Sequence, residues 1–409
     1  MAGQQRAVAP DLARGVMLLL IVLANIPWFL WGRDHGVTLG HPIGATGLDA
    51  LVQSLMIVFV DSRALPMFAL LFGYGMVQFA HAQDRRGTSL RAVKGMLLRR
   101  HVALVVLGAL HAAVLFYADV LGTYGFLGLI LAPLLFHRTT RTLKIVRGIL
   151  VGLLTLFAGF MALMGWLTQA FPEEAGNVVI PAPANVSDID SWAGSILPRL
   201  SEWGFITVFS IVALAVPIAI LTGWIWAREG VLDRPQDHLP RLRRTALIGL
   251  PVAWLGGIPM MLTHTGIVWA PELSWAFMGV QMLTGLAGGL GYAACFGLLA
   301  ARLTRTDTAA ASTASPVIRA LTAVGRRSLS AYLWQALIMA PLLTAWGLGL
   351  GGTMGSAIAA GIAILIWLAS VAWCLALDKA GRRGPAEVLL RRVTYLEQSS
   401  EREPARSQR

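Results

Sequence analysis

Ten hydrophobic runs recur along the chain, at 16–31, 51–80, 101–117, 120–136, 149–169, 203–227, 246–262, 275–300, 329–350 and 356–377, separated by short polar segments. Each approaches or exceeds the roughly 20 residues a helix needs to cross a hydrocarbon core. Helices are expected because a helix satisfies its own backbone hydrogen bonds within lipid. The second run is too long for one simple span. Asp61 and Arg63 interrupt it, so two helical pieces or one broken helix are expected there. Pro66 follows and would remove a backbone hydrogen bond and kink the run. Broken helices deep in a membrane persist where they line a cavity, which makes 61–66 the leading cavity marker.

Composition agrees. Only 13% of the 409 residues are charged, 56% are hydrophobic and the mean hydropathy is +0.67. A soluble domain carries roughly 25% charged residues, so an ordinary cytosolic enzyme is excluded. The net charge of +12 would suggest a nucleic-acid partner on a soluble protein. Its distribution argues otherwise. With the N-terminus in the cytoplasm and alternating sides, the inner segments 1–15, 81–100, 137–148, 228–245, 301–328 and 378–409 hold 30 of the 33 Lys and Arg residues. Cations are retained on the cytoplasmic side, so the excess reports orientation and no nucleic-acid partner is expected. Arg33, Arg63 and Arg199 are the exceptions.

The expected fold is an all-α polytopic protein of the cell (inner) membrane, with about ten transmembrane helices and both termini cytoplasmic. It forms one integral membrane domain over 1–409, in which 1–220 holds the charged-residue cavity, 221–400 the C-terminal helices and 401–409 a disordered tail. Trp28 and Trp31 stand where a signal peptide would need small residues, so the first run reads as a span. The two cysteines, Cys295 and Cys374, exclude a disulfide framework, and no metal-ligand spacing occurs.

An ionisable group inside a span costs a few kcal/mol and is a functional candidate by default. Asp61, Arg63, His111 and Asp119 qualify, with Asp11 and Arg14 at the mouth of the first span. Asp61 and Arg63, two residues apart, would point about 160° from each other on a regular helix and could not pair. Histidine exchanges a proton near neutral pH and suits general acid–base work, which singles out His111. Asp119 lies eight residues on, about 80° round a continuous helix and about 12 Å along it, so the two define a channel edge more readily than a bonded pair. Arg14 is a cation at a helix start, opposed by the dipole, and suits either cytoplasmic anchoring or an anionic ligand. His41 lies with His35 among Gly and Pro in the first external loop, where an exposed histidine is the ordinary case. Asn25, Tyr332, Trp334 and Gln335 suit interhelical hydrogen bonds. No hydrolase triad order, glycine-rich nucleotide loop or HExxH motif occurs.

Several stretches resemble the YeiB family of bacterial inner-membrane proteins, whose C-terminal part is the domain of unknown function 418. They are Asp11-Leu-Ala-Arg14-Gly15 with Asn25, Phe68-Ala-Leu-Leu-Phe72-Gly73-Tyr-Gly75, Gly108-Ala-Leu-His111 with Asp119 and Tyr124, Gly325-Arg326 through Ser330, Tyr332 and Gln335, and Gly384-Pro385-Ala-Glu387 through Arg391. They occur in the family's order. Ser62-Arg63-Ala64 departs from the family's Gly-Lys-Phe-like stretch. The opening and the Asp61, Pro66, Gly73 pattern are distantly similar to transmembrane acyltransferases, although Pro66 lies one residue further from the aspartate and His41 matches their external histidine loosely.

The resemblance implies a helical bundle that moves an acyl group from acyl-CoA to a hydroxyl or amine of a lipid, glycan or small metabolite. On that expectation Arg14, with Arg99 and Arg100, holds the CoA phosphates. His111 or His41 deprotonates the acceptor and Asp119 or Asp61 orients that histidine. Arg63, Asn25, Tyr124 and Gln335 join Arg14 as substrate-binding candidates. No bound cofactor or metal is expected, with acyl-CoA as co-substrate. The alternative is a transporter or exporter in which Asp61, His111 and Asp119 relay protons.

Overall fold

The computed structural model describes residues 8–36, 39–175, 184–305 and 315–396, and the expected tail at 401–409 lies outside them. Among the described residues the chain is helical and has no strand, only an isolated bridge between His35 and Pro42. The helices are α1 (Val8–Asn25), α2 (Gly47–Phe59), α3 (Ala64–Asp84), α4 (Leu90–Val114), α5 (Leu121–Leu135), α6 (Thr140–Ala170), the single turn α7 (Pro172–Ala175), α8 (Ile196–Val212), α9 (Ala215–Arg228), α10 (Leu239–His264), α11 (Met278–Arg305), α12 (Pro316–Arg326), α13 (Ser328–Leu343), α14 (Ser356–Lys379) and α15 (Pro385–Thr394). Seven helical stretches are long and apolar enough to cross a membrane, with α2 and α3 forming one of them. The pair α8–α9, bent by 58°, makes an eighth, and α5 and α13 are shorter apolar helices.

Large apolar side chains cover the outside, among them Leu156, Leu197 and Leu247, each more than two-thirds exposed. Such a surface belongs against lipid. The interior is reached by close backbone approach. A Cβ at Gly73 would strike the Ile220 carbonyl and one at Gly223 the Leu70 carbonyl, so α3 and α9 cross through a reciprocal pair of glycines. Gly15 against Leu321 and Gly325 against Asp11 make the same crossing between α1 and α12. Small residues permit this in bundles where lipid supplies no hydrophobic drive between helices. Helix α9 is buried on all sides from Ala215 to Ala227 and forms the central post.

Two interruptions position the polar residues. Between α2 and α3 the chain passes through Asp61, Ser62 at φ +60° and Arg63. Pro66 does not kink a helix, as its position suggested; it sits in the first turn of α3, where its missing N–H is not needed. The carbonyls freed by the break find side chains. Arg63 donates to the carbonyls of Ile57 at 3.0 Å, Asp61 and, on α10, Ala253. From α11, Gln281 donates to Ile57 at 2.9 Å and Tyr292 to Phe59 at 2.8 Å. The second interruption ends α4 at Val114. Its last carbonyls are sealed by Arg199, which donates to Ala113 at 2.6 Å, and by Trp192, which donates to Val114 at 3.0 Å.

Candidate functional site

Both interruptions create a buried histidine–aspartate pair. His111 lies in the last turn of α4, and because the helix stops three residues later the chain folds back to set Asp119 beside it, His111 Nδ1 to Asp119 Oδ1 at 2.9 Å. The separated channel edge expected from a continuous helix is therefore corrected to a bonded pair. Asp119 is held by two further donors. The Tyr332 hydroxyl from α13 reaches Oδ1 at 3.2 Å and the Gly122 amide of α5 reaches Oδ2 at 2.8 Å. The Val120 amide donates to the Tyr332 hydroxyl at 3.4 Å, which directs that hydroxyl's own proton to Asp119. A carboxylate accepts only, so Nδ1 of His111 carries a proton, and in the neutral ring the lone pair is at Nε2. That nitrogen is buried with no protein partner.

The second pair joins His41 to the break between α2 and α3. His41 Nε2 meets Asp61 Oδ2 at 2.8 Å, and the histidine is completely buried. The reading of an exposed loop histidine is thus corrected: the loop dips inward, closed by the Gly36 amide donating to the His41 carbonyl at 2.9 Å. Here the bound nitrogen is Nε2, and Nδ1 is the buried one with no protein partner. His264 of α10 packs edge-on to His41 at 5.7 Å and contacts Gln53 at 3.2 Å, which in turn donates to the Pro42 carbonyl at 3.0 Å. No three His, Cys, Asp or Glu side chains among the described residues are arranged to hold a metal ion.

Two cavities lie near these pairs, and the two aspartates line the larger. One of about 690 Å³ lies at the end of the bundle that holds the C-terminus of α1, and Asn25, Asp61 and Asp119 are in its lining. The other, about 380 Å³, lies toward the N-terminus of α1 and is lined by Arg14, Arg100, Arg326, Tyr124 and Tyr332 among others. The first turn of α5 and the residues just before it divide them. Asp119, Val120 and Thr123 face the larger cavity, and Leu121 and Tyr124 face the smaller one. Successive positions on one turn point to different sides, which is how a single strip of sequence serves both spaces.

The remaining candidates separate cleanly. Arg14 lines the smaller cavity and bonds Asp11 at 3.2 Å and the Leu71 carbonyl at 3.2 Å. Tyr124 lines it too, with its hydroxyl donating to the Leu65 carbonyl at 3.1 Å. Arg99 lies outside it and donates to the Thr394 carbonyl at 3.4 Å. Arg63 is wholly buried on backbone carbonyls and lines neither cavity, so its place among substrate-binding candidates is corrected to that of a strut. Gln335 is corrected likewise: it lines neither cavity and donates to Ser370 of α14 at 3.3 Å.

Tyr332 makes the interhelical hydrogen bond expected of it, with Asp119 as the partner, whereas sequence reasoning missed the roles of His264, Arg326 and Glu387. Glu387 of α15 caps α13 by accepting from the amides of Leu329 at 2.9 Å and Ser330 at 3.2 Å. The stretches around Tyr332 and Glu387 that matched family motifs were the available signal. At the arginine-rich end, outside the spans, burial raises the Glu229 carboxyl's pKa, but bonds from Lys144 at 2.7 Å and from Arg241 outweigh it and leave it below its ordinary value.

Residues 226–397 match the family described as Protein of unknown function (DUF418). The chain is 25% identical to the uncharacterized protein YeiB of Escherichia coli (strain K12), over 95% of this chain and 96% of that protein. It is 22% identical to the uncharacterized protein YxaH of Bacillus subtilis (strain 168), over 94% and 93% respectively. No solved structure matches. The order of motifs along the chain, the all-helical apolar architecture and these similarities over more than nine-tenths of each chain agree: the chain is similar to the YeiB-like proteins, and its residues 226–397 match the DUF418 region.

Proposed function

We propose that this protein transfers an acyl group from acyl-CoA, entering the arginine-lined cavity, to a hydroxyl or amine held in the larger cavity. The observation that carries this reading is the thin division at Asp119–Tyr124, with His111, Asp119 and Tyr332 bonded together in it. In the reaction, the acceptor's oxygen or nitrogen attacks the thioester carbonyl carbon while His111 Nε2 takes its proton. The carbon–sulfur bond then breaks, the acyl group stays on the acceptor, and the imidazolium returns the proton to the departing CoA thiolate. Asp119 holds the imidazole in its tautomer and stabilises its charge during the step. His111 lines neither cavity and its Nε2 is buried on the side of the ring away from Asp119, so the transfer requires a water or a side-chain movement that links Nε2 to the acceptor.

Arg14, Arg100 and Arg326 give the smaller cavity the charge a phosphorylated donor needs, since arginine pairs with phosphate in bidentate fashion. The distribution of cations supports placing that end of the bundle in the cytoplasm. Counting the bent pair and the two shorter helices with the seven long stretches supports ten spans in a bacterial cell membrane. In proteoliposomes with labelled acyl-CoA, the wild-type protein is expected to release CoA and transfer label. A His111→Ala protein that retains wild-type turnover removes this assignment.

The same division also favours a second reading. Two cavities facing opposite ends across a thin barrier are what alternating access uses, with Asp61, His111 and Asp119 as a proton relay. Substrate flux into vesicles without acyl-CoA distinguishes it.

A further inference from the structure

The larger cavity has two unlike sides. Asn25, Asp61 and Asp119 gather where α1, the α2–α3 break and the start of α5 converge. The opposite side is mainly apolar, formed by Phe205 and Phe209 of α8 and by Met278 and Met282 of α11, with Glu202 and Ser210 of α8 among its polar residues. Helix α8 packs on α4 and α5 and meets α9 at the bend, but it is not packed along α11. A seam therefore runs between α8 and α11. Phe205 lines the cavity and is 63% exposed, so no neighbouring side chain covers it there. The charge in the cavity is also one-sided. Asp61, Asp119 and Glu202 line it, with no Lys or Arg among the described lining residues.

We propose that this cavity opens sideways into the bilayer between α8 and α11 and admits an amphipathic lipid with a neutral or cationic headgroup bearing hydroxyl or amine groups. The headgroup reaches Asn25, Asp61 and Asp119, and the chains leave past Phe205, Phe209, Met278 and Met282. A headgroup whose charge is a phosphate would be held beside carboxylates and is disfavoured by like-charge repulsion. The inference names the acceptor class for the acyl-transfer reading and rests on that reading only for what happens to the lipid once bound.

The test separates the two. A photoreactive benzoylphenylalanine is placed at Phe209, in the cavity, and in a second protein at Val208, which is 61% exposed on the outer face and outside the cavity lining. Both are reconstituted in vesicles of equal parts monoglucosyl diacylglycerol and phosphatidylglycerol, irradiated without acyl-CoA, and the lipid adducts are weighed by mass spectrometry. The ratio of glycolipid to phosphatidylglycerol adducts at Phe209 is expected to exceed that at Val208 about tenfold, equivalent to about 1.4 kcal/mol. Equal ratios at the two positions overturn the headgroup preference. Lipid adducts at Val208 with none at Phe209 overturn lateral entry. Acyl-CoA is then added to the unlabelled protein in the same vesicles. Enriched glycolipid adducts without any acyl transfer leave the lipid site standing and refute the acyl-transfer reading.

Discussion

The two histidine–aspartate pairs are built from the same side chains at nearly the same separation, 2.9 Å for His111–Asp119 and 2.8 Å for His41–Asp61, yet they differ in support. Asp119 accepts from a histidine, a tyrosine and a backbone amide, so its position and charge are fixed on three sides. Asp61 has His41 as its side-chain partner, and its backbone carbonyl is engaged separately by Arg63. The pairs also present opposite ring nitrogens, Nε2 of His111 and Nδ1 of His41. What differs most is the link to the smaller cavity. Asp119 and Asp61 both line the larger one, but Asp119 is bonded to Tyr332, which lines the smaller one. Pre-organisation by three donors argues that the α4–α5 pair carries proton transfer and the α2–α3 pair serves the acceptor side.

The largest expected effect tests that ranking. His111→Ala should lower acyl transfer by about 10²–10⁴-fold, the usual contribution of a general base, measured as initial rates with labelled acyl-CoA in proteoliposomes. His41→Ala should cost less than about tenfold, and the reverse order would place the chemistry at the α2–α3 break. Next comes Arg63→Ala, which removes a buried donor from the carbonyls of Ile57, where Gln281 remains, and Ala253, and should destabilise the fold by about 1–3 kcal/mol, read as a lowered melting temperature in detergent. An unchanged melting temperature would mean that the break holds itself together without its strut.

Tyr332→Phe removes one of the three donors to Asp119 and should reduce kcat by about tenfold or less, corresponding to about 1–1.5 kcal/mol, with KM for the acceptor unchanged. A shift confined to KM would move Tyr332 from orienting the pair to binding substrate. The smallest effect belongs to Glu229, remote from both pairs. Its pKa is lowered in the folded state, so its ion pairs stabilise the protein at neutral pH, and that contribution fades as pH falls below the ordinary carboxylate value of 4.5. Glu229→Gln should lower the melting temperature slightly at pH 7, with the difference from wild type narrowing as pH falls below 4.5.

Much of the architecture was legible in the sequence, because hydrophobic runs and the cost of intramembrane charge are both local properties. The interruption around Asp61 was visible for the same reason. The bonding of His111 to Asp119 was not, since eight residues on an unbroken helix separate two side chains. What stops α4 at Val114 is a pair of donors, Arg199 and Trp192, 86 and 78 residues away from the carbonyls they seal. No local pattern contains them. Arg63 and Gln335 were over-read by the same rule that found His111: membrane cost flags every buried polar residue, whether its partner is a ligand or a carbonyl. Tyr332 was placed as an interhelical donor, but that its partner is Asp119 depends on α13 lying beside the start of α5.

The reciprocal glycine crossing between α1 and α12 bears on how this region can be inherited. The DUF418 match begins at residue 226, within α9, and includes Gly325, whose counterpart Gly15 lies more than two hundred residues outside it. A gene fragment encoding the matched stretch alone would cut the central post and present a groove shaped for a helix it does not encode. The matched stretch and the structural unit therefore have different borders here, and the matched stretch needs the first helix to complete its packing.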